Sequence, residues 1–245
     1  MKRRSVIAGL AGLLTAGCSK IGKSDAFGGV VEGVGKLNRA AHRTLGGPAP
    51  MAREYAASDI SPFFRGNGNQ DIDSDAYRAH VAGAFADWEV RIGGLVERPL
   101  SLSMDQLRAL PQRTQITRHD CVEGWSAIGQ WTGPQLSAII EQAGLRDEAR
   151  FVVFRCADDF RGVPYYESCD LDDAMHPQTI LAHELNGEPL PVRNGAPLRL
   201  RIERQLGYKH AKYLTGIEAV ASLEGIEGGR GGYWEDRGYQ WYAGI

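Results

Sequence analysis

The chain has 245 residues, which is long enough for one large domain or two small ones with a full hydrophobic core. Its residues are 43% hydrophobic and 24% charged, a soluble globular composition that excludes wholesale disorder and a multi-span membrane protein. With 28 basic and 30 acidic residues the net charge is -2, so no overall basic field indicates a nucleic-acid partner. The 4 cysteines are too few and too irregularly spaced for a disulfide framework or a four-cysteine zinc site.

Residues 1–18 have the pattern of an export signal. A basic start is followed by the small, apolar stretch Ser5–Gly17, which is too short to span a bilayer. Leu14–Cys18 resembles a bacterial lipoprotein processing box, which predicts a lipid anchor on Cys18. The pair Arg3-Arg4 favours the twin-arginine route and hence the periplasm or cell envelope. The alternative interpretation is an uncleaved amphipathic N-terminus.

Residues 19–55 are rich in Gly, Ala and Lys with weak periodicity, and are interpreted as a tether with a helical stretch near Val31–Leu45. The remaining residues, 56–245, are expected to form the functional domain. In this domain, apolar and polar residues alternate over Trp88–Ile92, as they do in a half-buried strand. Leu95–Leu102 is predicted to form a second strand beside it after a Gly-Gly turn. Ser103 begins a capping box for a short helix, and Thr114–Cys121 is predicted to be a strand.

A helix capped by Thr132 is predicted to end at Gly144, because apolar residues recur on one face between them. Further strands are predicted at Phe151–Phe154, Leu198–Ile202 and Tyr213–Val220, and a turn is predicted at Asn186-Gly187. Short strands with irregularly inserted helices indicate an α+β domain and not a regular βαβ array.

The segment Arg118–Ser126 places a cysteine where a strand ends and a glycine loop begins. The neighbouring Arg118 and His119 favour the thiolate of Cys121, which is a good nucleophile and a soft-metal ligand. Taken alone, this segment favours a buried structural cysteine over a reactive or metal-binding one.

A second candidate site lies further along the chain, where four basic side chains fall within fourteen residues: Arg199, Lys209, His210 and Lys212. Arginine offers a planar fork to phosphate oxygens and lysine a point charge, so the cluster suits a polyanionic small ligand. The alternative is a solvated basic strand face. Neither a GxGxxG fingerprint nor a Walker loop occurs in the sequence.

Taken together, these segments resemble a known family. Arg118–Ser126, followed by Trp131-Thr132-Gly133, is similar to the cysteine-loop motif of the sulfite oxidase superfamily, especially its exported bacterial branch of protein-methionine-sulfoxide reductase catalytic subunits. Downstream motifs follow in the family's order at Leu171–Pro177, Leu185–Pro191, Asn194–Arg199 and Gly207–Lys212. The resemblance runs from Ala56 to the C-terminus and implies a molybdopterin-binding domain of mixed β-sheets with short inserted helices.

The resemblance also implies roles for individual residues. Cys121 matches the thiolate that ligates molybdenum. Residues that match cofactor-binding positions are Asn194, Arg199, His210, Ala211 and Lys212, the last three at the terminal phosphate. Cys156 stands where the reductase branch has a threonine that contacts the cofactor.

An upstream loop departs from the family pattern, because Phe64-Arg65 replaces a Tyr-Glu pair that contacts the pterin. Arg65 or Asn67 is expected to supply other contacts. An arginine in place of a carboxylate changes the local charge by two units, which favours anionic substrates if the side chain faces the pocket. The alternative is that Arg65 points to solvent.

The resemblance implies a molybdenum-cofactor oxidoreductase that transfers an oxygen atom with two electrons, by sulfoxide reduction or sulfite-type oxidation, on a small or protein-bound substrate. The sequence has no Cys-x-x-Cys-His heme motif, so a separate heme-type electron-transfer partner is expected, and the enzyme is expected to be a monomer. Two alternatives are a cofactor-free thiol enzyme using Cys121 and His119, and a non-catalytic lipoprotein of the same fold.

The C-terminal aromatic residues and one cysteine pair each allow two interpretations. Aromatic residues are frequent near the C-terminus and predict either a strand packed on the core or a roof over the pocket: Tyr233, Trp234, Tyr239, Trp241 and Tyr242. Cys156 and Cys169 are candidates for a disulfide bond after export, which depends on their distance.

Overall fold

The computed structural model describes residues 25–45 and 50–245, and the chain divides into two units, Met1–Pro48 and Ala49–Ile245. Helix α1 (Asp25–Leu45) belongs to the first unit and has two basic residues in its last turn, where cations are favourable. It confirms the predicted helical stretch and begins earlier. In the described part of the chain, no helix is both long and apolar enough to cross a membrane. The predicted export signal and Cys18 lie outside the described residues.

The largest sheet of the second unit has five strands in the order β2-β1-β11-β5-β6. Its strands are β1 (Glu89–Gly94), β2 (Leu100–Ser103), β5 (Phe151–Phe160), β6 (Val163–Asp170) and β11 (Leu214–Val220). Strand β11 runs parallel to β1 and antiparallel to β5, while β1 pairs antiparallel with β2. The strands predicted at Trp88–Ile92, Phe151–Phe154 and Tyr213–Val220 are confirmed, whereas the strand predicted over Leu95–Leu102 begins only at Leu100.

Two smaller sheets complete the strand framework. A four-stranded sheet has the order β3-β4-β8-β9, and β10 pairs with β7 in a two-stranded sheet. Their bounds are β3 (Gln112–Cys121), β4 (Trp125–Pro134), β7 (Ile180–Ala182), β8 (Glu184–Leu185), β9 (Glu188–Pro189) and β10 (Arg199–Arg201). The predicted Asn186-Gly187 turn joins β8 to β9 with both residues at positive φ, 57° and 81°, as a tight hairpin requires.

Short helices connect the strands: α2 (Asp75–Ala82), α3 (Met104–Ala109), α4 (Leu136–Ala143) and α5 (Leu171–Ala174). Helix α3 begins with the predicted capping box between Ser103 and Gln106. Helix α4 ends at Gly144 as predicted, but the predicted cap at Thr132 is wrong. Thr132 lies within β4, where its hydroxyl meets that of Thr114 on β3, because the β3–β4 pairing continues to Pro134.

The main core packs helix α4 and the five-stranded sheet together, and its members include Val90, Leu136, Ile139, Val153 and Ile217. A second, smaller core surrounds Trp131 of β4. The domain is therefore an α+β structure of mixed sheets with short inserted helices, as expected.

Strand β10 differs from the expectation of one polar, solvated face. Leu200 and its neighbours Arg199 and Arg201 are all 0% exposed, so both faces of this strand are buried. The solvated-face interpretation of the basic cluster is wrong, since protein packs on both sides of the strand.

Candidate functional site

A cavity of about 190 Å³ opens at the end of β3, beside β5, β6 and the 3-10 turn Gly207–Lys209. Its walls include Asn67, Cys121, Tyr165, His210 and Lys212. These residues come from distant parts of the sequence, and four of them are predicted site residues. The structure thus brings the cysteine segment and the basic segment to one place.

Cys121 is the last residue of β3 and is buried. The chain turns directly after it: the Gly124 amide donates to the Cys121 carbonyl at 3.0 Å, and Gly124 adopts a φ of 85° that favours glycine. Burial raises the pKa of the Cys121 thiol. In the described part of the chain, no group of three or more His, Cys, Asp or Glu residues is placed to hold a metal ion. A metal at Cys121 therefore needs further ligands from a cofactor.

Arg201 is paired with the carboxylate of a nearby glutamate. It forms an ion pair with Glu203 at 2.6 Å, and both side chains are 0% exposed. Its guanidinium lies over the Trp131 ring at 4.3 Å from the centroid and donates to Nδ1 of His119 at 2.9 Å. Paired and stacked in this way, Arg201 is a structural support behind the site.

Arg199 is equally buried but has no such carboxylate. Its guanidinium donates to the carbonyls of Asn194, at 3.0 Å, and His210, at 3.3 Å, and its Nε has no partner among the described residues. Burial, followed by the positive charge of Arg201, lowers its pKa to about 9. Its guanidinium also lies over the Trp131 ring, 5.1 Å from the centroid. A fully buried guanidinium held by carbonyls and an aromatic ring, with no paired carboxylate, is an electrostatic host for an anion.

Lys212 has a similar environment at the cavity wall. Its ammonium donates to the backbone carbonyls of Asn67, at 2.7 Å, and Asn69. Burial, followed by Arg199, lowers its pKa to about 7. Gly195 leaves room for this side chain, because a Cβ there would lie 2.7 Å from the Lys212 Cβ.

The two histidines of the site are buried and their rings lie 5.0 Å apart. Burial and the nearby arginines hold the pKa of both well below the ordinary value, so both are neutral near pH 7. Nδ1 of His119 accepts from Arg201, which occupies the nitrogen's lone pair. His119 is therefore a poor base for Cys121, and the thiol-enzyme alternative loses its proton acceptor.

The residues present fit an anionic, phosphate-bearing cofactor with soft metal ligands. Several buried polar atoms lack a protein partner around the cation cluster: Asn67 Oδ1, Asn194 Oδ1, Arg199 Nε and His210 Nδ1. Buried polar groups are normally hydrogen-bonded, so these atoms are suited to a ligand. Together with the desolvated charges of Arg199 and Lys212 and the thiol of Cys121, they supply the donor set that molybdopterin requires.

Other predicted site residues lie away from the cavity wall. Phe64 packs in the small core with its ring 5.0 Å from Trp131, and the Arg65 side chain is exposed while its carbonyl accepts from Asn194. Ala211 is fully buried. Cys156 is a free thiol and so is not disulfide-bonded to Cys169.

Sequence reasoning overlooked three residues of the cavity wall, Glu123, Asp158 and Tyr165. Asp158 is buried with one carboxylate oxygen unpartnered, and burial raises its pKa. The aromatic C-terminal segment contains turns and a 3-10 helix instead of the strand that one interpretation predicted. Of its aromatic residues, Trp234 and Tyr239 line the cavity, with rings stacked 5.3 Å apart.

The family model for the oxidoreductase molybdopterin-binding domain matches residues 78–224. A protein of Azospira oryzae assigned as the protein-methionine-sulfoxide reductase subunit YedZ1 is 36% identical over 99% of this chain and 86% of its own length. The protein-methionine-sulfoxide reductase catalytic subunit MsrP of Xanthomonas axonopodis pv. citri is 36% identical over 61% of this chain. The match covers 50% of that MsrP, about half its length.

Among solved structures, the sulfane dehydrogenase SoxCD of Paracoccus pantotrophus superposes with a TM-score of 0.52. The sequences are 23% identical, and the match covers 57% of this chain and 40% of that one. This similarity concerns the fold alone.

Proposed function

Because the chain belongs to the family of oxidoreductase molybdopterin-binding domains, and is a molybdopterin-dependent oxidoreductase, we propose that it reduces sulfoxides, including methionine sulfoxide in proteins. Two desolvated cations support the cofactor's place. Lys212 lines the cavity together with the buried thiol of Cys121, and Arg199 donates to the carbonyl of His210, another residue of the wall. The sulfoxide substrate is suggested by the names of the relatives that match.

Each of these residues has a distinct task. When bound, the molybdenum cofactor supplies two-electron oxygen-atom chemistry, and the protein supplies binding, orientation and electrostatics. Cys121 provides the protein thiolate for the metal. Arg199 and Lys212 hold the cofactor's phosphate through charge-assisted hydrogen bonds. Asn194 Oδ1 and His210 Nδ1 are unpartnered acceptors, because the His210 Nε2–H donates to the Gln205 carbonyl, so they suit N–H groups of the cofactor and not its phosphate.

The cavity wall suits a thioether sulfoxide, which has apolar carbon chains and one strongly polar oxygen. Phe160, Trp234 and Tyr239 provide aromatic surface on one part of the wall, and Asn67 and Lys212 provide polar groups on another. Aromatic walls exclude water and strengthen the electrostatic interactions inside the cavity.

Electron exchange requires a second protein, since the sequence has no heme motif. We expect a membrane-bound, heme-type redox partner, because the relatives are described as subunits of a reductase. Export by the twin-arginine route, a lipid anchor at Cys18 and a periplasmic or cell-envelope location belong to the same proposal. They rest on the sequence of residues 1–18.

The test is metal analysis of the purified, exported protein followed by turnover with an artificial electron donor. Molybdenum near one per chain and reduction of methionine sulfoxide are the expected results, with sulfite oxidation as the comparison reaction. Cys121→Ser should abolish turnover, and Cys169→Ala, a core cysteine on β6, is the matched control. A protein without molybdenum contradicts the cofactor site, and sulfite turnover without sulfoxide turnover contradicts the proposed substrate.

A further inference from the structure

Behind the cavity lies a cluster of three buried charged side chains that the cofactor site does not use. Glu167 is 0% exposed, and Lys209 and Glu235 are each 1% exposed. The Lys209 ammonium lies 2.7 Å from Oε2 of Glu167 and also forms an ion pair with Glu235. Two carboxyl groups thus share one ammonium in a site without water access.

The charge balance of this cluster requires a bound proton. With both carboxylates ionised, the buried group would carry one net negative charge, which is costly in a low-dielectric interior. Burial, followed by the charge of Glu235, raises the pKa of Glu167 well above the ordinary value. Burial disfavours the Lys209 ammonium, but the two carboxylates outweigh that effect and raise its pKa. The cluster is neutral when its two carboxyl groups hold one proton between them and Lys209 is cationic.

The geometry provides a place for that proton. Oε2 of Glu235 has no hydrogen-bond partner among the described residues, and the Glu235 side chain lies beside that of Glu167. The backbone of Gly232 closes over both groups: a Cβ there would lie 2.0 Å from Oε2 of Glu235 and 2.8 Å from Oε2 of Glu167. The two carboxyl groups are therefore close enough to hold one proton between them, in a space that a side chain at Gly232 would fill.

Tyr165 connects this cluster to the cavity. It stands two residues before Glu167 on β6, so the two side chains share one face of the strand. Its hydroxyl lies 3.4 Å from Oε1 of Glu167 and donates to the Tyr208 carbonyl at 2.7 Å, and the residue lines the cavity. A phenol hydroxyl accepts one hydrogen bond while it donates another, which is what a proton relay requires.

We propose that Glu167 stores a proton and delivers it through the Tyr165 hydroxyl to the substrate in the cavity. This inference rests on the proposed sulfoxide reduction, in which the sulfur–oxygen bond breaks and the oxygen leaves as water. That reaction consumes two protons together with two electrons, and the electrons come from the redox partner. In each delivery the Glu167 O–H bond breaks and Tyr165 accepts that proton. Tyr165 turns its own O–H from the Tyr208 carbonyl to the cavity and releases that proton to the substrate oxygen. Cavity water then reprotonates Glu167 through Tyr165 before the next turnover.

The groups that face this relay come from every neighbouring element. Lys209 and Tyr208 come from the 3-10 turn before β11, Glu235 from the C-terminal 3-10 turn, and Cys156 and Asp158 from β5. Lys209 favours ionised Glu167, whereas burial and Glu235 favour the protonated acid.

The experiment compares the full-length enzyme with Glu167→Gln and Tyr165→Phe, and uses Tyr166→Phe as the control. Tyr166 is the adjacent tyrosine, and its hydroxyl donates to Asp236 instead of the relay. Glutamine reproduces the shape and hydrogen bonds of a protonated glutamic acid, so Glu167→Gln should fold. The first readout is infrared spectroscopy near neutral pH, where the carbonyl stretch of a protonated carboxylic acid should lose one component in Glu167→Gln.

The second readout is the pH profile of sulfoxide turnover. Glu167→Gln and Tyr165→Phe should each lower kcat roughly 100-fold with little change in KM, because general acid–base transfer contributes at least about that factor. Both should also change the pH dependence of kcat, and Tyr166→Phe should change neither. An infrared band that persists in Glu167→Gln, or wild-type kcat and pH profile in both relay variants, would overturn the proposal. Absence of sulfoxide turnover in the wild type contradicts the proposed function, whereas normal turnover in the variants contradicts the relay alone.

Discussion

Replacing Arg199 by methionine should separate the energetic cost of its charge from its role in binding. The side chain is 0% exposed, and it contacts the carbonyls of Asn194 and His210 and the Trp131 ring. Methionine has a similar length and carries no charge. We expect Arg199→Met to weaken cofactor retention while leaving the cofactor-free protein nearly as stable as the wild type or more stable.

The magnitude follows from the pKa of Arg199. A fall from 12.5 to about 9 means that the charged guanidinium costs the cofactor-free fold roughly 5 kcal/mol at neutral pH, as an upper bound. Methionine leaves two buried carbonyls without their donor, and each unpaired carbonyl destabilises the fold by about 1–3 kcal/mol. The change in the free energy of unfolding should therefore lie between a fall of about 1 and a rise of about 3 kcal/mol. The lost charge-assisted contact, worth about 1.5–3 kcal/mol, lowers cofactor affinity roughly ten- to hundred-fold.

The assay is denaturant unfolding of protein from cells that make no molybdopterin, together with the molybdenum content of protein from cells that do. Arg201→Met is the matched control on the same strand, because Arg201 is ion-paired with the fully buried Glu203. Breaking that pair should destabilise the fold by about 3–5 kcal/mol. The reasoning is refuted if Arg199→Met destabilises the cofactor-free protein as much as Arg201→Met does, or if its molybdenum content is normal.

Three further predictions concern the same site. Cys121→Ser should abolish turnover with little change in circular dichroism or thermal unfolding, and retained activity with unaltered metal spectroscopy would exclude Cys121 as a ligand. Because the pKa of Lys212 falls from 10.5 to about 7 on folding, the unfolded chain binds more protons between these values, so the cofactor-free protein should gain stability as the pH rises from about 7 to 10. Denaturant titrations at several pH values should show this gain in the wild type and a smaller one in Lys212→Met; equal slopes would contradict it. Gly207→Ala should lower stability by about 1–3 kcal/mol and reduce molybdenum content, because its Cβ would lie 2.4 Å from Nε2 of His119; normal values for both would show that His119 moves aside freely.

Local signals in the sequence were sufficient to predict most of the secondary structure and to identify the family. Alternating apolar residues predicted β1 and β11, the capping box at Ser103 predicted α3, and Asn186-Gly187 predicted the β8–β9 turn. Each of these features depends on neighbours within a few residues. The chemical type of the site, a soft thiolate with a basic cluster, was also readable, because it depends on residue identity and order.

What only the tertiary structure decided is how deeply each charge is buried and which partner it has. Arg199 and Arg201 alternate with apolar residues on β10 in the same way, and the sequence does not distinguish them. In the folded chain Arg201 meets Glu203 and Arg199 does not, so one is a support and the other a host for an anion. Thr132 shows the same principle for backbone structure, because pairing with β3 overrides its tendency to cap a helix.

The relay cluster shows the principle over the longest distances. Glu167, Lys209 and Glu235 are separated by tens of residues. From the sequence alone the two glutamates would be interpreted as ordinary surface charges, and Lys209 was assigned to the basic cluster. Packing of β6 against the 3-10 turns removes water from all three, and desolvation then raises the pKa of Glu167 well above its ordinary value. Residue order thus determined the secondary-structure elements and the chemical groups available. Burial depends on contacts between distant segments, and it decided which charges are paired, which can bind a ligand and which hold a proton.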